Sequence, residues 1–208
     1  MKQRVLVSSD IHGYGEKLLT LLEEAKYNPK KDKLVLVGDY VNNGKDSFGT
    51  LKIVKRLKKK GAVALLGNHE IKWMKSKDKK KAAWHTFLCS LPTMEKIGPY
   101  LFVHAGINKD KSLKKQSPLE VTGYKKKNID TYYKGSLFMI HGHVPTYHYG
   151  CDKGDVHVTK HSLALDTGAG KGHYLSLVDL TNKKQYTVPV SKKNKVKATS
   201  IQIPTPAK

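Results

Sequence analysis

Arginine is nearly missing from this chain: of 39 basic residues only Arg4 and Arg56 are arginine, and the rest are lysine. Acidic residues are also few, 17 Asp and Glu in 208 residues, which leaves a formal charge of +22. A charge of that size suggests a polyanionic partner, because clustered cations release counterions from nucleic acid. The shortage of arginine weakens that reading, since the planar guanidinium is the group that reads bases and clamps phosphates. No nucleic-acid-binding motif accompanies the charge. Nucleic acid therefore remains a partner suggested by charge alone, beside the plainer reading of a lysine-rich solvated surface from an AT-rich genome.

Cysteine is scarce too. Cys89 and Cys151 are far apart and form no CxxC pair, so they read as free thiols of a reducing compartment and not as a disulfide framework. No apolar run approaches the ~20 residues of a membrane span, and Val5-Leu6-Val7 is too brief for a signal-peptide core. The expectation is a cytoplasmic monomer with no membrane contact. What is present, 38% hydrophobic and 27% charged residues, is the composition of a globular protein. A chain of this size buries roughly 70% of its unfolded surface and needs no disulfide or zinc staple.

The apolar pattern alternates between short runs and helical stripes. Val5–Ser8 precedes Asp10-Ile11-His12-Gly13, and Leu18, Leu19, Leu21, Leu22 and Ala25 then mark one face of a helix over Glu16–Lys26. Leu34–Val37 leads into Gly38-Asp39, and Leu51, Val54 and Leu57 mark a second helix. Ala62–Leu66 leads into Gly67-Asn68-His69-Glu70. This order predicts a parallel sheet with crossover helices. The second half is richer in strands: Leu101–Val103, Leu137–Ile140 and Leu163–Leu165, then a hairpin from Tyr174–Asp179 and Tyr186–Val190. Lys109–Lys127 reads as a polar insertion suited to a lid. Residues 1–190 form one domain, followed over 191–208 by a loosely held Lys- and Pro-rich tail.

Polar, metal-capable residues recur just after the apolar runs, where ligands bind in open α/β sheets. Asp10 and His12, Asp39, Asn68 and His69, His104, and His143 occupy five such ends. One histidine after a strand is more often structural than functional, but unrelated core residues would not all choose strand termini. The chemistry implied is a two-metal centre that clamps a phosphate and lowers the pKa of a bridging water. Asp39 is the natural bridge, with Asp10 and His12 on one ion and Asn68, His104 and His143 on the other. His69 is left to protonate the leaving oxygen.

The succession Asp10-Ile-His12-Gly13, Gly38-Asp39-x-x-x-x-Gly44, Gly67-Asn68-His69-Glu70, His104-Ala-Gly106 and Gly142-His143 resembles the calcineurin-like metallophosphoesterases. More narrowly, it is similar to the bacterial and phage serine/threonine protein phosphatases and the symmetrical diadenosine tetraphosphate hydrolases. Leu165-Asp166-Thr167-Gly168-Ala169 looks like the closing strands of the same group, so the resemblance spans about residues 4–180. It implies an α/β fold, an αββα sandwich of two facing mixed β-sheets flanked by helices. It also implies two divalent metal ions, manganese foremost with iron or zinc as alternatives. The ligands carried over are Asp10, His12, Asp39, Asn68, His104 and His143, with His69 as proton donor.

The chain departs from that pattern in two places. Where the phosphatases usually carry an Asp-Arg pair before the glycine of the second motif, it has Asn42 and Asn43. The Asp orients the catalytic histidine and the Arg holds a phosphate oxygen. A second phosphate-binding Arg, expected between the His104 and His143 motifs, is also missing, because no arginine follows Arg56. Losing one such donor typically costs roughly 10²–10³ in rate. Lysine binds phosphate as a point charge, so Asn43, Lys45, Lys125, Lys126 and Lys127 are the candidate substrate-binding residues. The leading reading is a serine/threonine protein phosphatase-like phosphomonoesterase that uses a metal-bridging hydroxide on phosphoprotein. The alternatives are a hydrolase of dinucleoside polyphosphates or other nucleotides, and a metal-binding pseudoenzyme or nucleic-acid-binding protein.

Overall fold

The computed structural model of the protein describes residues 3–123, 137–191 and 195–204. The first half runs β1 (Arg4–Ser8), α1 (Gly15–Glu24), β2 (Asp32–Leu36), α2 (Ser47–Lys59), β3 (Val63–Ala64), α3 (Asn68–Met74), α4 (Lys79–Ala82) and α5 (His85–Cys89). The second half runs β4 (Met94–Ile97), β5 (Tyr100–Val103), α6 (Pro118–Gly123), β6 (Phe138–His141), β7 (His157–Val158), β8 (Ser162–Ala164), β9 (Tyr174–Asp179), β10 (Lys184–Pro189) and β11 (Lys197–Ser200). These build a six-stranded sheet, β11-β10-β9-β1-β2-β3, and a five-stranded sheet, β4-β5-β6-β8-β7. Both sheets are mixed: β1, β2 and β3 pair parallel while β9 joins β1 antiparallel, and β5, β6 and β8 pair parallel between two antiparallel edges.

Alternation along β1 shows how the layers hold together. Val5 and Val7 share a core with Val35, Val37, Phe102, Ile140, Leu163 and Val178, so residues of both sheets meet there. Leu6, on the other face, joins Leu18, Leu21, Leu51, Val54 and Leu57 of α1 and α2. Strands buried on both faces read as continuous apolar runs for this reason. A third cluster packs Val121 of α6 on Leu101, Val103 and Met139. Each fully buried Leu or Val contributes about 1.5–3 kcal/mol. The expected fold, two facing mixed sheets flanked by helices, is the observed one.

Element bounds differ from the sequence pattern where local polar contacts intervene. β2 starts at Asp32, two residues before its apolar run, because Arg4 lies opposite it in register and forks onto it. β3 is short because the chain leaves the ladder: Leu65 N–H donates to Leu36 O, but Leu66 N–H donates to Pro92 O. The hairpin of β4 and β5 has no signal in the half-exposed Met94–Ile97. Within the segment expected to be loosely held, Lys197–Ser200 pairs with β10, and Ile203 is buried between the sheets. The apolar pair Ile201 and Ile203 accounts for that docking. In the polar insertion, a short helical turn at Leu113–Lys115 precedes α6; Lys125, Lys126 and Lys127 lie outside the described residues.

Candidate metal centre

The strand-end loops are stitched to one another before any side chain is considered. Asp10, His12 and Gly13 N–H donate to the carbonyls of Gly38, Asp39 and Tyr40, which extends the β1–β2 pairing past both strand ends. Gly142 N–H donates to His104 O in the same way. Asp10, His12, Asp39 and His143 all adopt left-handed backbone, with φ of +53°, +45°, +55° and +71°. Such conformations cost energy in non-glycine residues and cluster at functional sites.

Those loops bring the predicted residues together around Asp39. Its Oδ1 accepts from His69 N–H at 2.9 Å. Its Oδ2 lies 3.4 Å from His104 Nε2, 3.8 Å from His12 Nε2 and 3.9 Å from His69 Nε2. Asp10 Oδ1 is 3.9 Å from His12 Nε2, and Asp10 Oδ2 accepts from Ser9 Oγ and His143 N–H. Asn68 Oδ1 sits between His104 Nε2 at 3.1 Å and His143 Nδ1 at 3.0 Å. Two overlapping sets of ligand atoms result, His12–Asp39–His69 and Asp39–His104–His143, with Asp39 common to both.

The donor chemistry fits divalent cations. Asp10 Oδ1 is buried with no hydrogen-bond partner among the described residues, and a buried orphan oxygen is costly unless something positive meets it. Imidazole nitrogen with carboxylate and amide oxygen suits manganese, iron or zinc. Burial pushes Asp10 up to about 7, and Asp39 adds to the shift. Burial works the same way on Asp39, but the imidazoles of His104, His12 and His69 outweigh it and hold that carboxyl well below the usual range. Burial would lower His104, yet Asp39 and Asp10 hold it up at about 10. A cation among these oxygens competes with that proton.

Glu70 braces the centre and is buried at its base. Its two oxygens accept from the backbone N–H groups of Asp39, Tyr40, Val41 and Gly67, at 2.8–3.2 Å. Burial pushes it up to about 7, against those amides. Asn43, exposed, reaches within 3.4 Å of His12 Nδ1. Lys45 is exposed and lines a cavity with Gly13, Tyr14, Lys17 and Asp46, a set without the converging histidines. His141 is buried, with Nδ1 3.1 Å from Gly142 O, and exposed His148 packs on Tyr147.

Several features of the site carry little sequence signal. Trp73 is buried, and its Nε1–H donates to Asn42 Oδ1 at 2.8 Å. Asp166 is buried beside the centre, where burial and Asp10 push it well above the carboxylate range. A β-carbon on Gly142 would collide with Asp10 Oδ2, and one on Gly170 would lie 2.5 Å from the His12 ring. These glycines and the Asp10 and His12 side chains were all visible in the sequence; the close approach of one to the other was not.

Residues 3–174 match the family model described as calcineurin-like phosphoesterase. The symmetrical bis(5'-nucleosyl)-tetraphosphatase of Glaesserella parasuis serovar 5 is 33% identical over 121 residues, 49% of this chain and 44% of that one. The protein of the same name from Aeromonas salmonicida is 37% identical over 118 residues, 48% of this chain and 43% of that one. The chain thus spans less than half the length of these curated relatives. A crystal structure described as a proposed diadenosine tetraphosphatase superposes with a TM-score of 0.73 at 26% identity, covering 90% of this chain and 93% of that one.

Proposed function

Since this chain belongs to the calcineurin-like phosphoesterase family, whose members are metal-dependent phosphoric ester hydrolases, we propose that it hydrolyses dinucleoside polyphosphates such as diadenosine tetraphosphate. The observation that carries the reading is the convergence of three imidazole Nε2 atoms on Asp39 Oδ2, beside the orphaned Asp10 Oδ1. The phosphoprotein reading, which led from sequence, gives way to the nucleotide one. The names of both curated relatives and of the 26% identical structure support that order.

In this reading Asp10, His12 and Asp39 hold one divalent cation, and Asp39, Asn68, His104 and His143 hold a second, with manganese the first candidate. Ions held there would supply Lewis-acid polarisation of a phosphoryl oxygen and would lower the pKa of a nearby water toward neutrality. Asp39 keeps the two groups in register, because its backbone is pinned by Glu70 and its Oδ1 by the start of α3. His69 presents Nε2 to the same space. Asn43 reaches the site beside His12, and in this reading one of Lys45, Lys125, Lys126 and Lys127 stands in for the missing arginines. Surface lysines steer an anionic substrate inward. No described helix is long and apolar enough to cross a membrane, and with both cysteines unpaired the cytoplasm is the compartment this reading assigns.

The test offers diadenosine tetraphosphate and a phosphoserine peptide side by side, with manganese. Turnover of the nucleotide to two ADP, abolished in Asp39→Asn, is the expected result. Preference for the peptide returns the protein phosphatase reading to the lead. Stoichiometric manganese binding with no turnover of either substrate favours a binding protein.

A further inference from the structure

Three imidazoles aim Nε2 at the same oxygen, but their other ring nitrogens face different partners. His104 Nδ1 lies 2.8 Å from Val37 O, and His12 Nδ1 lies 3.0 Å from Val41 O. A carbonyl only accepts, so both rings carry hydrogen on Nδ1 and turn an Nε2 able to ligate toward Asp39. His69 is different. Its Nδ1 lies 2.9 Å from a terminal atom of Asn42, and an amide can present either oxygen or nitrogen. Trp73 settles which. Its indole Nε1–H only donates, and it lies 2.8 Å from the other terminal atom of Asn42, so that atom is the oxygen. The amide nitrogen therefore faces His69, and since it only donates, Nδ1 accepts and the ring hydrogen sits on Nε2.

The relay is rigidly held. Trp73 is buried against Phe48 at 5.0 Å, and Asn42 N–H donates to Ser47 Oγ at 2.8 Å. We propose that Trp73 and Asn42 are positioning residues that lock His69 as the Nε2–H tautomer, so that His69 donates a hydrogen bond to the substrate, stays out of the metal ligand set, and restricts the enzyme to phosphates with weakly basic leaving groups. A neutral imidazole that already uses Nδ1 as acceptor has no spare proton to transfer. An alkoxide leaving group, nearly as basic as hydroxide, needs a whole proton. A nucleoside polyphosphate is expelled as a stable anion and needs only the hydrogen bond. The inference rests on the nucleotide reading for its substrate class and on hydrogen-bond directions alone for the tautomer.

The test has two arms. The first is two-bond ¹H–¹⁵N correlation NMR of ¹⁵N-histidine-labelled protein loaded with zinc, a diamagnetic probe, with His69 assigned by its loss in His69→Asn. His69 should show hydrogen on Nε2 while His12 and His104 show it on Nδ1; hydrogen on Nδ1 of His69 overturns the proposal. Asn42→Asp, whose carboxylate only accepts, should put hydrogen on Nδ1 of His69 and hold the ring as the imidazolium, with a whole proton to give from Nε2, and Trp73→Phe should leave the tautomers mixed. A His69 unchanged by both substitutions also overturns it. This arm needs no turnover, so an inactive protein leaves it readable, and zinc-insensitive His12 and His104 would count against the metal reading separately. The second arm compares kcat/KM for diadenosine tetraphosphate and a phosphoserine peptide. Asn42→Asp should shift that ratio toward the peptide by about 10²-fold, the low end of what general acid catalysis contributes. An unchanged ratio overturns the substrate restriction and leaves the nucleotide reading standing.

Discussion

Arg4 and Asp32 face each other across the parallel pairing of β1 and β2, and the guanidinium forks onto both carboxylate oxygens at 2.6 and 3.0 Å. The same guanidinium donates to the carbonyls of Ala25 and Lys26 at the end of α1. One of only two arginines thus ties strand register to the first crossover helix. Burial would raise Asp32, but the Arg4 hydrogen bond and Asn28 N–H outweigh it and hold the carboxyl below its usual value. A depressed carboxyl stabilises the fold above its unfolded pKa of ~3.9 and loses that contribution as pH falls through the folded value. Asp32→Asn should therefore cost about 1–3 kcal/mol at pH 7, with a smaller difference from wild type near pH 3. Urea unfolding at the two pH values measures it; an equal cost at both would sink the ion-pair account.

Asp10 has the opposite linkage. Its carboxyl is pushed up to about 7, first by burial, so in the metal-free protein it favours folding at low pH and that contribution fades as pH rises from ~4 to 7. Asp10→Asn removes the penalty and keeps an oxygen for Ser9 and His143. At pH 8 the metal-free variant should melt no lower than wild type. Wild type should gain about 2.7 kcal/mol with manganese at a hundred times its Kd, and the variant should gain almost none. Equal manganese stabilisation of the two proteins would remove Asp10 from the ligand set.

Gly170 lies against the face of His12, 2.5 Å from the ring for an added β-carbon. Gly170→Ala should push the imidazole off its line to Asp39 while leaving the sheets intact. Manganese affinity should fall by about 10–100-fold, the range for lost support of a ligand. Calorimetric titration checks this, with far-UV circular dichroism to confirm the fold.

Glu70→Gln places an amide among four backbone N–H donors. At least one of them then faces a second donor, and the cost should be about 1–3 kcal/mol. The loss should be accompanied by weaker manganese binding, because Asp39 N–H is among the four. Unchanged stability in thermal unfolding would mean that the loops hold themselves without Glu70.

Much of the fold was legible because β1, β2, β6 and β8 are buried on both faces and write themselves as apolar runs. The candidate ligands were legible for a related reason: each follows such a run directly. What stayed hidden depends on contacts between distant segments. The pairing of Trp73 with Asn42 joins residues 31 positions apart, and its consequence for His69 needs the direction of two hydrogen bonds. β4 is a half-exposed edge strand with mixed polarity, and Lys197–Ser200 becomes a strand only because β10 offers an edge and Ile203 a place in the core.

The left-handed backbone at Asp10, His12, Asp39 and His143 bears on retuning the metal. Asn, Asp and His tolerate that conformation better than other non-glycine residues, and they also carry short ligating side chains, so backbone and coordination select from the same small alphabet. Glutamate or cysteine ligands, introduced to change metal preference, would be strained at those four positions before any ion bound. Asn68, at the start of α3, and His104, just past β5, have no such backbone. Redesign toward another cation has its freest choices there.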